Sequence, residues 1–195
     1  LAGGSGGFEI VKNFNMPATA AEVGRRASLL AASKPVSQMK APVVLDQDFV
    51  ALLCHEIIGH PSEADRVLGR EAAWAGKAWW AGKIGERVGS RLLSATDDPG
   101  IEGALGYYKY DDEGVRARRK ELIREGTLIE HMHSRETAAE FRVEPNGNMR
   151  AQSFEYVPLI RMSNTFIEPG DFRKDEIFDV SDGLYLKGAR VPSID

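Results

Sequence analysis

Leu52-Leu53-Cys54-His55-Glu56-Ile57-Ile58-Gly59-His60-Pro61 sets two imidazoles and a carboxylate inside an otherwise apolar run. Imidazole nitrogen is a good zinc ligand, and a glutamate beside the first histidine can take a proton from a metal-activated water, as in helices of the HExxH type. Here the spacing is HExxxH. On a regular helix residues four apart lie about 40° apart and residues five apart about 140° apart, so a straight helix would aim His55 and His60 in different directions. Two devices bring them together: a π-bulge that absorbs the extra residue, or a helix that ends near Ile58 and presents His60 from the next turn. Gly59 and Pro61 suit either, because glycine tolerates unusual dihedrals and proline does not continue a regular helix. The competing reading is a straight helix with Glu56 and His60 as an i, i+4 ion pair and His55 as a core histidine. Val50, Ala51, Leu52, Leu53, Ile57 and Ile58 make this helix apolar nearly all round. That predicts burial, and a buried glutamate with two histidines needs partners, which favours a metal site.

Upstream, Asp46 is placed to cap the motif helix, with Asp48 in its first turn. Val43-Val44-Leu45 reads as a short buried strand, Ser33 to Pro42 as a loop, and Ala18 to Ser33, with Val23, Leu29 and Leu30 at helical intervals, as an amphipathic helix. Phe8 to Asn15 fits a short strand. Leu1 to Gly7 is glycine-rich and the chain begins with leucine, so residues 1–17 read as a flexible lead-in or linker remnant and residues 18–195 as one domain.

Downstream, Ser62 is placed to cap a further turn, and Glu63 to Ala78 favours helix until Gly76 and Gly82 interrupt it. Trp74, Trp79 and Trp80 supply core packing or one apolar wall of a groove. From Val88 strands prevail: Arg91 to Ala95, then Ala104 to Tyr110, then a hairpin over Glu121 to Ile129 turning at Glu125-Gly126, then broken strands through Phe154 to Met162. Asp97-Asp98-Pro99-Gly100, Asp111-Asp112-Glu113-Gly114 and Pro145-Asn146-Gly147-Asn148 are turns. Arg116-Ala117-Arg118-Arg119-Lys120 reads as a solvated basic face. His131 and His133 share one strand face at chelating spacing, but no acid follows in catalytic position. Ser134 to Phe141 and Asp171 to Val180 read as short helices, and Gly183 to Leu186 as a last strand. The fold class is therefore α+β: helices first, including the HExxxH helix, followed by a largely antiparallel β-sheet.

The chain has 195 residues, a formal net charge of −4 and a single cysteine. That balance argues against a nucleic-acid surface, and one cysteine fits a reducing, cytoplasmic setting without a disulfide framework. No apolar run is long enough to span a membrane, and no signal peptide is visible. Cys54 reads as a buried small hydrophobe, because adjacent helical residues point about 100° apart and it is badly placed to share a metal with His55.

His55 to His60, then Glu63-Ala64-Asp65, Gly82-Lys83-Ile84-Gly85-Glu86, Asp97-Asp98-Pro99, Asp111-Asp112-Glu113-Gly114 and Arg161-Met162-Ser163-Asn164-Thr165 resemble, in order and spacing, the TldD/PmbA family. The resemblance runs from about Val43 to Gly188 and follows the TldD branch, which keeps HExxxH. It implies a zinc metallopeptidase with His55 and His60 as ligands and Glu56 as the catalytic residue. It further implies unfolded or flexible peptide substrates and a dimer, with a copy of itself or with a PmbA-like partner. Family members are more than twice as long and draw a third ligand from a cysteine in a C-terminal segment. Ending at Asp195, this chain reads as a domain truncated at its C-terminus, or as one in which Glu63, Asp65 or Glu71 stands in. The expected activity is peptide hydrolysis by metal-activated water with Glu56 as general base. The rivals are a catalytically incomplete scaffold module of a TldD/PmbA-type complex and a regulator of a DNA topoisomerase, which an acidic chain without a basic stripe supports poorly.

Overall fold

A computed structural model describes residues 6–70 and 77–188. Two helices lead, α1 (Phe8–Asn13) and α2 (Met16–Ala32), and neither buries a residue. The expected strand over Phe8 to Asn15 is thus a helix: Glu9 accepts a hydrogen bond from the Gly7 amide at 2.7 Å, and no neighbouring strand offers a ladder. Among the described residues no helix is long and apolar enough to cross a membrane.

Strand β1 (Val43–Leu45) leads into α3 (Gln47–Leu53), capped by Asp46, whose carboxylate accepts the Phe49 amide at 2.9 Å. The chain then widens into a π-helical turn, Cys54–Gly59, tightens into a 3-10 turn, His60–Ser62, and enters α4 (Ala64–Val67). Gly69, in left-handed conformation at φ 75°, follows α4, so the helix expected from Glu63 onward is short.

The remainder is strands and turns. β2 (Ala95–Asp97), β3 (Lys120–Arg124), β4 (Thr127–Leu128) and β7 (Thr165–Ile167) form an antiparallel sheet in the order β4-β3-β2-β7. β3 and β4 are the expected hairpin. β5 (Met149–Arg150) and β6 (Leu159–Ile160) make a second antiparallel pair, and β8 (Leu184–Leu186) returns to run parallel to β1. Two short helices complete the order, α5 (Arg135–Phe141), capped by Ser134, and α6 (Lys174–Ile177), shorter than the expected Asp171 to Val180. The mixed α+β architecture with an antiparallel sheet is as the sequence suggests.

Two expected strands differ. Residues 104–109 form no strand: Gly103 takes φ 80°, a Cβ on Gly106 would lie 2.5 Å from the Ser163 backbone, and pairing is limited to an antiparallel bridge of Tyr110 with Arg116. Arg91 to Ser94 is also turned, with the Leu93 amide on the Ser90 carbonyl at 3.0 Å, and pairing begins only at Ala95.

The core joins the ligand-bearing turn to the sheet. Cys54, Ile58, Ala64 and Val67 pack with Trp80, Ala95, Leu122, Ile123, Leu128, Met132 and Ile160. Trp80 is fully buried and its indole N–H donates to the Pro61 carbonyl at 2.5 Å. Trp79 is half exposed and stacks at 4.7 Å on Trp80. Trp74 lies outside the described residues.

Lys120 departs from the solvated basic face. It is fully buried, with its ammonium 2.9 Å from an equally buried Asp97 carboxylate. Asp97 also accepts the Ser163 amide and hydroxyl at 2.7 Å and the Thr165 hydroxyl at 2.8 Å. Burial alone would raise its pKa, but Lys120 and the two hydroxyls outweigh that and hold it below the usual carboxylate range. This network ties β2 to the segment that forms one wall of the candidate site.

Candidate metal centre

The π turn resolves the spacing problem set by HExxxH. One extra residue per turn brings His55 and His60 to the same side, and their ring centroids stand 4.4 Å apart in an edge-to-face arrangement. His55, Glu56 and His60 each offer a ligand atom, and these atoms all lie within 4.8 Å of one another. Both expected devices operate in series, since the π turn ends at Gly59 and His60 opens the 3-10 turn.

Gly59 fills a different role from the one its dihedral freedom suggests. Its φ is −63°, ordinary for any residue, but a Cβ there would stand 1.8 Å from the Met162 sulfur. The glycine lets the Met162 side chain press against the turn. Ser62, expected to cap the following turn, instead donates its hydroxyl back to the Ile58 carbonyl at 2.8 Å.

Glu63 is fully buried. Its Oε2 lies 2.9 Å from His60 Nδ1 and 2.5 Å from Arg66 Nε. A carboxylate on Nδ1 fixes the tautomer with the proton there and leaves Nε2 as the lone-pair donor, the arrangement that orients metal-binding histidines. Thus Glu63, named above as a stand-in third ligand, grips the imidazole of His60. The i, i+3 spacing from His60 is the sequence signal for this pairing. Glu56 makes no such pair with His60, so the straight-helix alternative does not hold.

Around His55, desolvation first and repulsion from His60 second lower the pKa from its ordinary value, which favours the neutral imidazole that a metal requires. Cys54 is buried, and burial pushes its thiol up to about 11. It is inert packing, and among the described residues neither it nor Asp65 joins the His55, Glu56 and His60 cluster. Glu71 lies outside the described residues. The donor set present, two imidazoles and a carboxylate, suits zinc in type and reach.

A groove of about 870 Å³ opens at the cluster, lined by His55, His60 and Glu63 together with Arg150, Arg161 and Met162. A smaller cavity of about 320 Å³ lies between His55 and residues 162–166, so the Arg161-Met162-Ser163-Asn164-Thr165 segment does border the motif. Arg161 opens the segment that the sequence resemblance named, whereas Arg150 carried no such signal; both lie close to β5 and β6, whose pairing brings them to the groove.

The second histidine pair is closed off. His131 and His133 are buried with ring centroids 6.3 Å apart and Phe141 against both rings. Burial lowers each pKa to about 4.

With this geometry in hand, comparison with known proteins gives a consistent picture. Residues 38–194 match the family model described as the PmbA/TldA metallopeptidase C-terminal domain. The chain is 42% identical over 193 residues to Metalloprotease MJ0996 of Methanocaldococcus jannaschii, covering 98% of this chain and 41% of that protein. It is 39% identical over 150 residues to a Saccharolobus solfataricus protein named as a zinc metalloprotease TldD homolog, covering 74% of this chain and 31% of that one. Among solved structures, TldE from Thermococcus kodakarensis superposes with a TM-score of 0.69 at 22% identity, over 82% of this chain and 35% of that one, a likeness of fold. The chain thus spans well under half the length of these relatives. Its match over most of its length, together with the HExxxH turn, establishes that this chain belongs to the PmbA/TldA metallopeptidase family, in that family's C-terminal domain.

Proposed function

We propose that this domain carries the zinc-binding half-site of a peptidase, with His55 and His60 as two ligands and Glu56 as the general base. The observation that carries the reading is the π turn, which gathers these three side chains at the mouth of a groove large enough for a peptide. When bound, zinc lowers the pKa of a coordinated water and polarises a carbonyl. Glu56 takes the proton from the attacking water and returns it to the leaving amine, a role worth about 10²- to 10⁴-fold in rate. His60 is kept in its binding tautomer by Glu63, and the buried face of the turn, Cys54 and Ile58, keeps the motif from unwinding.

Unfolded or flexible peptides are the proposed substrates. β7 is an edge strand of its sheet, and residues 162–166 border His55, so an extended peptide could pair along it by β-augmentation. Amide-exchange protection of a bound peptide supports this mode, and unchanged exchange rules it out. A dimer, with a second copy or with a PmbA-like subunit in the cytoplasm, is the proposed assembly.

The test is metal content after purification without chelator, together with peptide hydrolysis. About one zinc per chain is expected, lost in His60→Ala. Glu56→Gln retains the zinc while turnover falls about 10²- to 10⁴-fold. Zinc lost in Glu56→Gln makes the glutamate a ligand, and zinc absent from the unaltered protein leaves only the scaffold reading.

A further inference from the structure

Besides Tyr156, the ionisable groups that line the groove at the cluster are the histidines, Glu63, and the guanidinium side chains of Arg150 and Arg161. Glu63 is already engaged with His60 and Arg66. What the lining offers an incoming anion is the arginine pair. The two arginines are held differently.

Arg150 is fastened. Its Nη2 donates to the Met162 carbonyl, and its guanidinium carbon lies 4.7 Å from the Tyr108 ring centroid. Its Nε is buried and has no hydrogen-bond partner among the described residues.

Arg161 has a fixed backbone and an uncommitted side chain. Its amide donates to the Asn148 carbonyl at 2.8 Å, and its carbonyl accepts from the Asn148 side chain at 2.9 Å. Asn148 is fully buried and also donates to Asp97 at 3.1 Å, so the anchor of Arg161 is the ionic network of the core. Arg161 is half-buried, and its guanidinium makes no hydrogen bond or ion pair among the described residues. Arg118, Arg119 and Arg124 each close on a glutamate. A cation taken partly out of water without a counter-charge is unfavourable, and a carboxylate relieves it best because the planar fork can bind both oxygens.

We propose that Arg161, supported by Arg150, is a specificity-determining residue that anchors a carboxylate of the bound peptide. The carboxylate is either the C-terminal one or that of an acidic side chain. The inference rests on the peptidase reading above and adds to it a preference among substrates. Positioning is its physical content: a peptide held by its carboxylate at Arg161 lies in the groove that His55 and His60 also line.

The experiment uses the intact zinc-loaded protein and four peptides of one length, with C-terminal acid or amide, each with or without one internal glutamate. Hydrolysis gives kcat/KM, and fluorescence anisotropy on the metal-stripped protein gives binding without turnover. A carboxylate-bearing peptide is expected to be preferred over the neutral amide by about tenfold or more in both readouts. Discrimination between acid and amide assigns the C-terminal carboxylate, and discrimination by the glutamate assigns the side chain. Arg161→Gln should erase the preference through KM with kcat little changed, and Arg161→Lys should restore part of it, which a merely structural role would not do. Equal binding and cleavage of all four peptides overturns the proposal, as does a preference that survives Arg161→Gln. A protein that cleaves none of them yet binds with the preference, lost in Arg161→Gln, keeps the anchor and removes the peptidase reading.

Discussion

Two histidine pairs lie on either side of one backbone bridge in this domain, and they have opposite fates. Glu63 and Met132 are bridged in parallel, with the Ala64 amide on the Met132 carbonyl at 3.0 Å and the Met132 amide on the Ser62 carbonyl at 2.8 Å. His60 opens the turn that leads to one end of that bridge, and His131 and His133 flank Met132 at the other. The first pair faces a groove with its rings 4.4 Å apart and a carboxylate beside it. The second is sealed under Phe141, its rings 6.3 Å apart, and among the described residues it joins no cluster with an acid. Spacing along the chain favours the second pair for chelation, because residues two apart on a strand share a face. Burial counts against the second pair, and the company of a carboxylate makes the first the candidate.

The sharpest way to break this contrast is to remove one histidine from each pair. His55→Ala should strip the zinc and with it all hydrolysis, whereas His131→Leu should keep zinc at the level of the unaltered protein, measured by metal analysis. Loss of zinc in both variants would make the pairs one site. A smaller effect is expected from Glu63→Gln, which keeps the shape but weakens the grip on His60. Zinc affinity should fall about 10- to 100-fold by competition with a chromophoric chelator. Unchanged affinity would make Glu63 a partner of Arg66 alone.

The remaining effect concerns pH, belongs to the buried pair, and is read in stability rather than in zinc. The folded pKa of His131 and of His133 is about 4 against an ordinary 6.5. The unfolded chain therefore binds more protons between those values, so stability is full above about 6.5 and declines as pH falls toward 4, by up to about 3 kcal/mol per imidazole. Chemical denaturation across that range should show the decline, and His131→Leu should flatten part of it. An equal slope in the variant would assign the loss to other groups.

Much of the candidate site was legible in the sequence, because HExxxH and the helical period together ask for a π-bulge or a helix that ends early. The cap Asp46 and the hairpin at Glu125-Gly126 were legible because local chemistry settles them. What was not legible depends on pairing across the fold. Lys120 sits among arginines in a run that looks solvated, and only the register of β2 against β3 buries it beside Asp97. Gly59 is required by Met162, about a hundred residues away, rather than by its own dihedrals. Arg161 gains its place from Asn148, and Tyr107 and Tyr108, strand-like by composition, follow turns in which Gly103 takes a left-handed φ and Gly106 lies against Ser163.

The π turn also fixes what kinds of change this motif tolerates. An extra residue in a helix would rotate everything after it by about 100°, and the widened turn absorbs that rotation before Pro61 meets Trp80 and Glu63 meets His60. The HExxH and HExxxH patterns are therefore not neighbours by single substitution. Passing from one to the other takes the gain or loss of a whole residue, and every contact downstream of Gly59 acts as a check on the reading frame of the helix.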